Sequence, residues 1–266
     1  MAGALPSIRV HKSDFDPSKV SRFGGIPLVE LGFEWPYSAE GHPLVFICQI
    51  DFGEIPTELR DLPNMLNLPP EGVLTLFCDL EYPPYGNESE SKSNWKLVFN
   101  SDKSNLRLLE SIPITETQIK PCSLSFDPEW TFPELSDDRL DKSFPNLTGA
   151  IAAEQRGSHT GIESALFDAY VDFLHELNQE PIHRIGGYPQ LNQGDIRAEY
   201  FRKDSKDEFE YPQPSKLDQV EVLLQIGPDL DADFEIYQWA YLYVLIDRTN
   251  LNKKLIDRGC LAICSA

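Results

Sequence analysis

The chain has 266 residues, 41% hydrophobic and 25% charged, a composition expected of a soluble globular protein with room for one large domain or two smaller ones. Acidic residues outnumber basic ones 43 to 23, a formal charge of −20. That excess repels phosphate backbones and anionic lipid, so it argues against nucleic acid and membranes; it serves solubility alone or favours a basic protein partner.

In chain order, an N-terminal arm is expected to about Val20, without the apolar core of a signal peptide. A first half then runs over 21–111. It opens on Arg22-Phe23-Gly24-Gly25-Ile26-Pro27 and carries strand-like runs at Leu44–Ile50, Val73–Leu80 and Trp95–Phe99. Residues 55–62 suggest a short helix, and the polar stretch 87–94 an exposed loop. Five prolines between 113 and 158 predict a long irregular surface connector, since proline disfavours long helices and central strands.

The next element is an amphipathic helix at about 161–178, within a segment spanning 160–180. Thr160 and Glu163 have the spacing of a capping box. Ile162, Leu166, Ala169, Tyr170, Phe173, Leu174 and Leu177 form its apolar stripe, and Pro181 ends it. The second half, 182–266, opens on Arg184-Ile185-Gly186-Gly187-Tyr188-Pro189 and has strands at Val220–Ile226, Tyr241–Asp247 and Cys260–Cys264. No apolar run approaches the ~18 residues of a membrane span, and a cytoplasmic location is expected. Cys48 and Cys78 lie in apolar strands and read as buried free thiols; Cys260 and Cys264 read as packing residues.

The phrase Arg-x-Gly-Gly-x-Pro thus occurs twice, followed each time by an apolar strand ending in Gln-Ile: Gln49-Ile50 and Gln225-Ile226. Such repetition predicts two related halves. The expected fold class is α+β: an internally duplicated, mainly antiparallel β-sheet with one helix and the long connector, in a single pseudo-symmetric domain 1–266. Paired glycines allow a sharp turn, and an arginine stands before each pair. The candidate binding residues are therefore Arg22, Gly24 and Gly25 in the first copy and Arg184, Gly186 and Gly187 in the second. His183, Gln193 and Asp195 enrich the second copy only. The competing reading makes each phrase a structural corner whose arginine pins a carboxylate or carbonyl.

No complete catalytic motif is present. Gly157-Ser158-His159-Thr160-Gly161 has histidine where a nucleophile elbow needs serine. The acidic run Asp229-Leu230-Asp231-Ala232-Asp233 lacks the glycine and glutamate of an EF-hand loop, which leaves a plain solvated loop or, as the lesser reading, a weak calcium-binding turn. No catalytic residue, metal site or cofactor is expected.

The phrases Ser21–Pro27, Trp35-Pro36, Pro43–Asp51, Leu68–Leu74, His183–Pro189, Gln193–Asp195 and Leu223–Ile226 together resemble the YwqG-like family of bacterial proteins of uncharacterised function. The resemblance spans most of the chain outside 113–158. It departs at Ile236–Ala240, where members usually carry Trp-Gly-Asp-x-Gly. It implies the duplicated α+β fold and no established reaction. The expected function is a non-catalytic acidic protein-binding module, toxin-neutralising or regulatory. The alternative is an enzyme or small-ligand binder using a cleft between the halves near His183, Arg184 and Asp195.

Overall fold

The computed structural model describes residues 3–83, 93–115, 117–145, 147, 161–191, 194–202, 210–236 and 239–264, and the side chains of 161–164 are outside that description. Twelve strands are present among them: β1 Leu5–Ser13, β2 Arg22–Phe23, β3 Leu28–Glu30, β4 Val45–Asp51, β5 Val73–Cys78, β6 Trp95–Asn100, β7 Leu106–Leu108, β8 Cys122–Thr131, β9 His183–Ile185, β10 Val220–Ile226, β11 Tyr241–Asp247 and β12 Cys260–Cys264. Ten form one sheet in the order β12-β11-β10-β9-β1-β8-β2-β4-β5-β6, nearly closed and barrel-like; β3 and β7 form a separate ribbon. Every pairing among these strands is antiparallel. The helices are α1 Thr57–Arg60, α2 Leu140–Ser143, α3 Gly161–Leu177, α4 Pro214–Leu217 and α5 Arg248–Asn252.

The apolar runs become strands because both of their faces are buried. One core cluster draws Ile47, Leu74 and Leu76 from one side and Leu224, Val244 and Ile246 from the other. On the opposite faces Phe46 and Phe77 pack with Leu44, while Tyr243 and Leu245 pack with Val220 and Ala262. Strands buried on both faces read as continuous rather than alternating hydrophobicity.

The strand order is symmetric about the β1–β8 pair: β2-β4-β5-β6 on one side, β9-β10-β11-β12 on the other. The register matches too. Arg22 lies opposite Gln49, and Arg184 opposite Gln225. Each guanidinium Nη1 donates to the carbonyl four residues on, Arg22 to Ile26 (3.4 Å) and Arg184 to Tyr188 (3.1 Å). Gln49 Oε1 accepts from Leu28 N, and Gln225 Oε1 from Gln190 N, both at 2.8 Å. Each strand before the acidic turn carries a bulge, between Phe46 and Cys48 and between Val222 and Leu224.

Both glycine pairs have positive φ, 55° and 72° at Gly24 and Gly25, 70° and 78° at Gly186 and Gly187. A Cβ on Gly24 would stand 2.1 Å from the Ile119 carbonyl oxygen, whereas one on Gly32 (φ 82°) would meet nothing within 4 Å. Gly32→Ala should therefore cost only the backbone term, about 1 kcal/mol. Gly24→Ala should cost clearly more, because backbone must move; urea unfolding of the two variants measures the difference.

Two expectations need correction. The 113–158 connector contains β8, the longest strand, paired with β1 from Leu5↔Thr131 to Ser13↔Ser123. The N-terminal arm is β1 itself, at the centre of the sheet. Pro128 is accommodated because β8 meets β2 only at Cys122 and Ser123. Beyond that point it serves one neighbour, and alternate residues of an antiparallel strand need no N–H toward it.

The helix α3 forms as expected, but its stripe is only partly covered. Tyr170 and Leu174 are buried with Leu140 and Leu147, while Leu166 and Phe173 are 43% and 38% exposed. Phe173→Ala thus loses less than the ~3–5 kcal/mol of a fully buried phenylalanine. Thr160 and the Glu163 side chain of the capping box lie outside the described residues, as do 84–92 and 157–160.

Candidate functional site

Successive residues of β9 point to opposite sides of the sheet, so His183 and Arg184 enter different environments. His183 turns into the core, with its ring edge-on to Phe23 at 4.8 Å. Its Nε2 lies 3.1 Å from Asp229 Oδ2. Asp229 also accepts from Lys12 Nζ and from Ala232 N. Burial raises the Asp229 carboxyl, but hydrogen bonds from His183 and Lys12 outweigh it and hold the pKa at about 2. Burial pushes the His183 pKa below its ordinary value despite Asp229. The coherent assignment is an ionised Asp229 held by Lys12 and a neutral His183 donating from Nε2–H. His183 Nδ1 is buried without a hydrogen-bond partner. The arrangement orients an imidazole but presents it to no solvent and no nucleophile.

Arg184 emerges on the other face, directly opposite Arg9 of β1. Glu129 Oε1 accepts from both guanidinium groups at 3.2 Å. Arg184 Nη2 also donates to Asn178 Oδ1 (3.0 Å), and Asn178 Nδ2 donates to Glu134 Oε1 (3.0 Å). The corresponding Arg22 instead donates to the carbonyls of Val20, Lys19 and Ile26. The first copy closes on its own backbone, and the second ties β1, β8 and the segment after α3 together through charges.

Burial pushes the Glu134 carboxyl up to about 7, against the pull of Arg184. Its folded pKa exceeds the ordinary 4.5, so the native state binds more protons between those values. Stability should fall as pH rises from 4.5 through 7. Glu134→Gln keeps the acceptor and removes the titration. It should match the wild type near pH 5 and exceed it by about 2–3 kcal/mol above pH 8, read from urea midpoints across pH.

Asp195 joins neither cluster. It caps the 3-10 turn Ile196–Phe201 by accepting from Arg197 N, and Arg197 folds back so that its Nε donates to Asp195 at 2.9 Å. Arg197 also reaches Asp137 at 3.5 Å, and Asp137 takes Arg139 Nε and Nη2 at 2.9 and 2.6 Å. Arg197 is 1% exposed, Asp195 and Asp137 each 3%. The sequence reading missed Arg197, Asp137 and Glu129, and named Asp229 only as part of the acidic run. A legible sign existed for two of them: Asp137-Asp138-Arg139 and Asp195-Ile196-Arg197 are both Asp-x-Arg, spacing that lets an arginine return to the carboxylate capping its own turn. Gln193 lies outside the described residues.

A groove of about 550 Å³ is lined by Asn64–Asn67, Gly187, Tyr188 and Arg248, together with Arg139 and Lys142. His183, Arg184 and Asp195 do not line it. Its bases are already engaged: Arg139 by Asp137, Lys142 by Asp218 (2.6 Å), Arg248 by Glu221. The acidic turn is likewise held by lysines, Asp229 by Lys12 and Asp233 by Lys120 (3.1 Å). Of the segment at 236–240, Tyr237 and Gln238 lie outside the described residues. Cys48, Cys78, Cys122, Cys260 and Cys264 are all free thiols. No helix among the described residues is long and apolar enough to cross a membrane.

No curated protein matches the chain. A family model matches residues 21–262, a span that includes both glycine loops and every strand but β1 up to Ala262 of β12. The chain belongs to that family, a domain of unknown function (DUF1963).

Proposed function

We propose that the protein is a non-catalytic acidic protein-binding module with a basic protein as partner, in a neutralising or regulatory role, and that its halves are copies of one unit as in the YwqG-like family it resembles. The observation that carries the binding role is where the charges go. Four buried carboxylates are held in internal pairs: Asp51 with Lys103, Asp229 with Lys12, Asp137 and Asp195 with Arg139 and Arg197. Among the described residues most of the other acidic side chains are exposed, where a negative excess accelerates encounter with a basic surface. The matched arginine and glutamine hydrogen bonds of the two loops support the copied unit.

The immobilised protein, exposed to extract of its native host, should retain a specific basic partner at low salt and release it progressively at moderate salt. Retention of nothing specific at either salt would refute the reading. The groove beside Gly187 and Tyr188 favours a second reading, a small-ligand site, since its volume suits such ligands. A thermal-shift screen of metabolites and divalent metals tests it, and an unmoved melting temperature throughout counts against it.

A further inference from the structure

Helix α3 holds an arrangement that the fold does not explain. At about 100° per residue, its residues sort into three adjoining strips. Tyr170 and Leu174 are buried in the cluster formed with Leu140 and Leu147, and half-buried Leu177 lies on the same side of the helix. Next to them, Leu166, Ala169 and Phe173 are exposed. Beyond those, Asp168, Asp172 and Glu176 stand at four-residue spacing, all exposed. The helix has no lysine or arginine; His175 is its only basic residue.

Each part of this is locally unfavourable. Like charges four apart on a helix repel. Acids in the last turns oppose the helix dipole, which favours cations there. An exposed leucine and phenylalanine beside the helix's buried Tyr170 and Leu174 leave apolar area in water. The apolar area also extends past the helix: Phe132 meets Phe173 ring to ring at 4.8 Å, and Trp130, two residues earlier, is 41% exposed. A ligand that covers the apolar strip and neutralises the acidic one would relieve all three costs.

We infer that the Leu166–Ala169–Phe173 strip with the Asp168–Asp172–Glu176 stripe is the docking surface for a basic amphipathic helix of a partner protein. This rests on the acidic-binding reading above and names its surface. An apolar helix face laid along the strip would place flanking lysines or arginines over the acids, the groove mode of helix recognition. A second copy of this chain is the poorer occupant, because two acidic stripes would face each other.

The test uses a defined probe, an ~18-residue peptide with leucines at helical spacing and lysines elsewhere. Its binding is measured by calorimetry at ~50 and ~500 mM salt. Wild type is compared with D168N/D172N/E176Q, with L166S, and with E58Q/D61N/E71Q, which removes as much charge from the exposed acids near α1. Circular dichroism confirms that each variant folds. The expected result is affinity weaker by roughly tenfold in the helix triple variant and in L166S, with the distant triple variant close to wild type. Equal weakening by both triple variants would mean diffuse attraction and would overturn the surface. So would no binding to wild type at low salt, or sedimentation showing that this face pairs two copies. The reading beneath it fails separately: a partner captured from native extract equally by wild type and D168N/D172N/E176Q leaves a basic partner standing and removes only the helix.

Discussion

Arg197→Met should cost about 3–5 kcal/mol, the expected loss when one member of a buried ion pair is removed and its partners remain charged. Arg197 is the largest of the side chains under 2% exposed, and it serves Asp195, Asp137 and the Leu217 carbonyl together. Methionine fills most of the volume, so the loss reports charge rather than a cavity. Typical domains have only ~5–15 kcal/mol in hand, and the variant should melt far below wild type. Asp195→Asn keeps the side-chain oxygen that caps the 3-10 turn. Adding it to Arg197→Met should therefore recover part of the loss, a non-additivity measurable by a double-mutant cycle in urea. A single-variant loss within ~1 kcal/mol would mean that water reaches the carboxylates.

Asp229→Ala should have the second-largest effect, again about 3–5 kcal/mol, since it strands Lys12 against a buried histidine. The consequence in acid is specific. The Asp229 pKa in the folded state, about 2, lies below its ordinary 3.8, so its contribution is complete above pH 3.8 and disappears as pH falls through 2. Asp229→Asn keeps the side-chain shape and one accepting oxygen but does not titrate. Wild type should lose about 2 kcal/mol more than Asp229→Asn over that interval, read as the difference between their acid unfolding curves. Parallel curves would show that Lys12 and His183 do not hold the carboxylate in its charged form.

How well each element could be read from sequence depended on where its partners lie. β10, β11 and β12 match the expected spans residue for residue, and β4, β5 and β6 within two residues. Each is a dense apolar run, which needs no distant information. β1 and β8 were missed although Ile8 and Val10 alternate with Ser7, Arg9 and His11. Their polar faces are stabilised by one another across the chain, as when Glu129 takes Arg9 and Arg184, and prolines at 6 and 128 mimic loop chemistry. The site was less legible still. Closeness in sequence grouped His183, Arg184 and Asp195, but strand alternation separates the first two and Asp195 caps the 3-10 turn Ile196–Phe201, so each meets a separate set of charges.

The sequence by itself determined the repeated phrase: two glycine pairs that permit positive φ, an arginine before each, and an apolar strand ending in Gln-Ile after each. These are local requirements of backbone geometry and hydrophobic pattern. Only the tertiary structure decided that β1 and β8, 110 or more residues apart, pair at the centre of the sheet. Only it decided that the two corners differ, Arg22 closing on nearby carbonyls and Arg184 on Glu129 and Asn178. The physical reason is that a buried charge takes whichever counter-charge the packed chain brings within reach, and sequence spacing does not encode that distance.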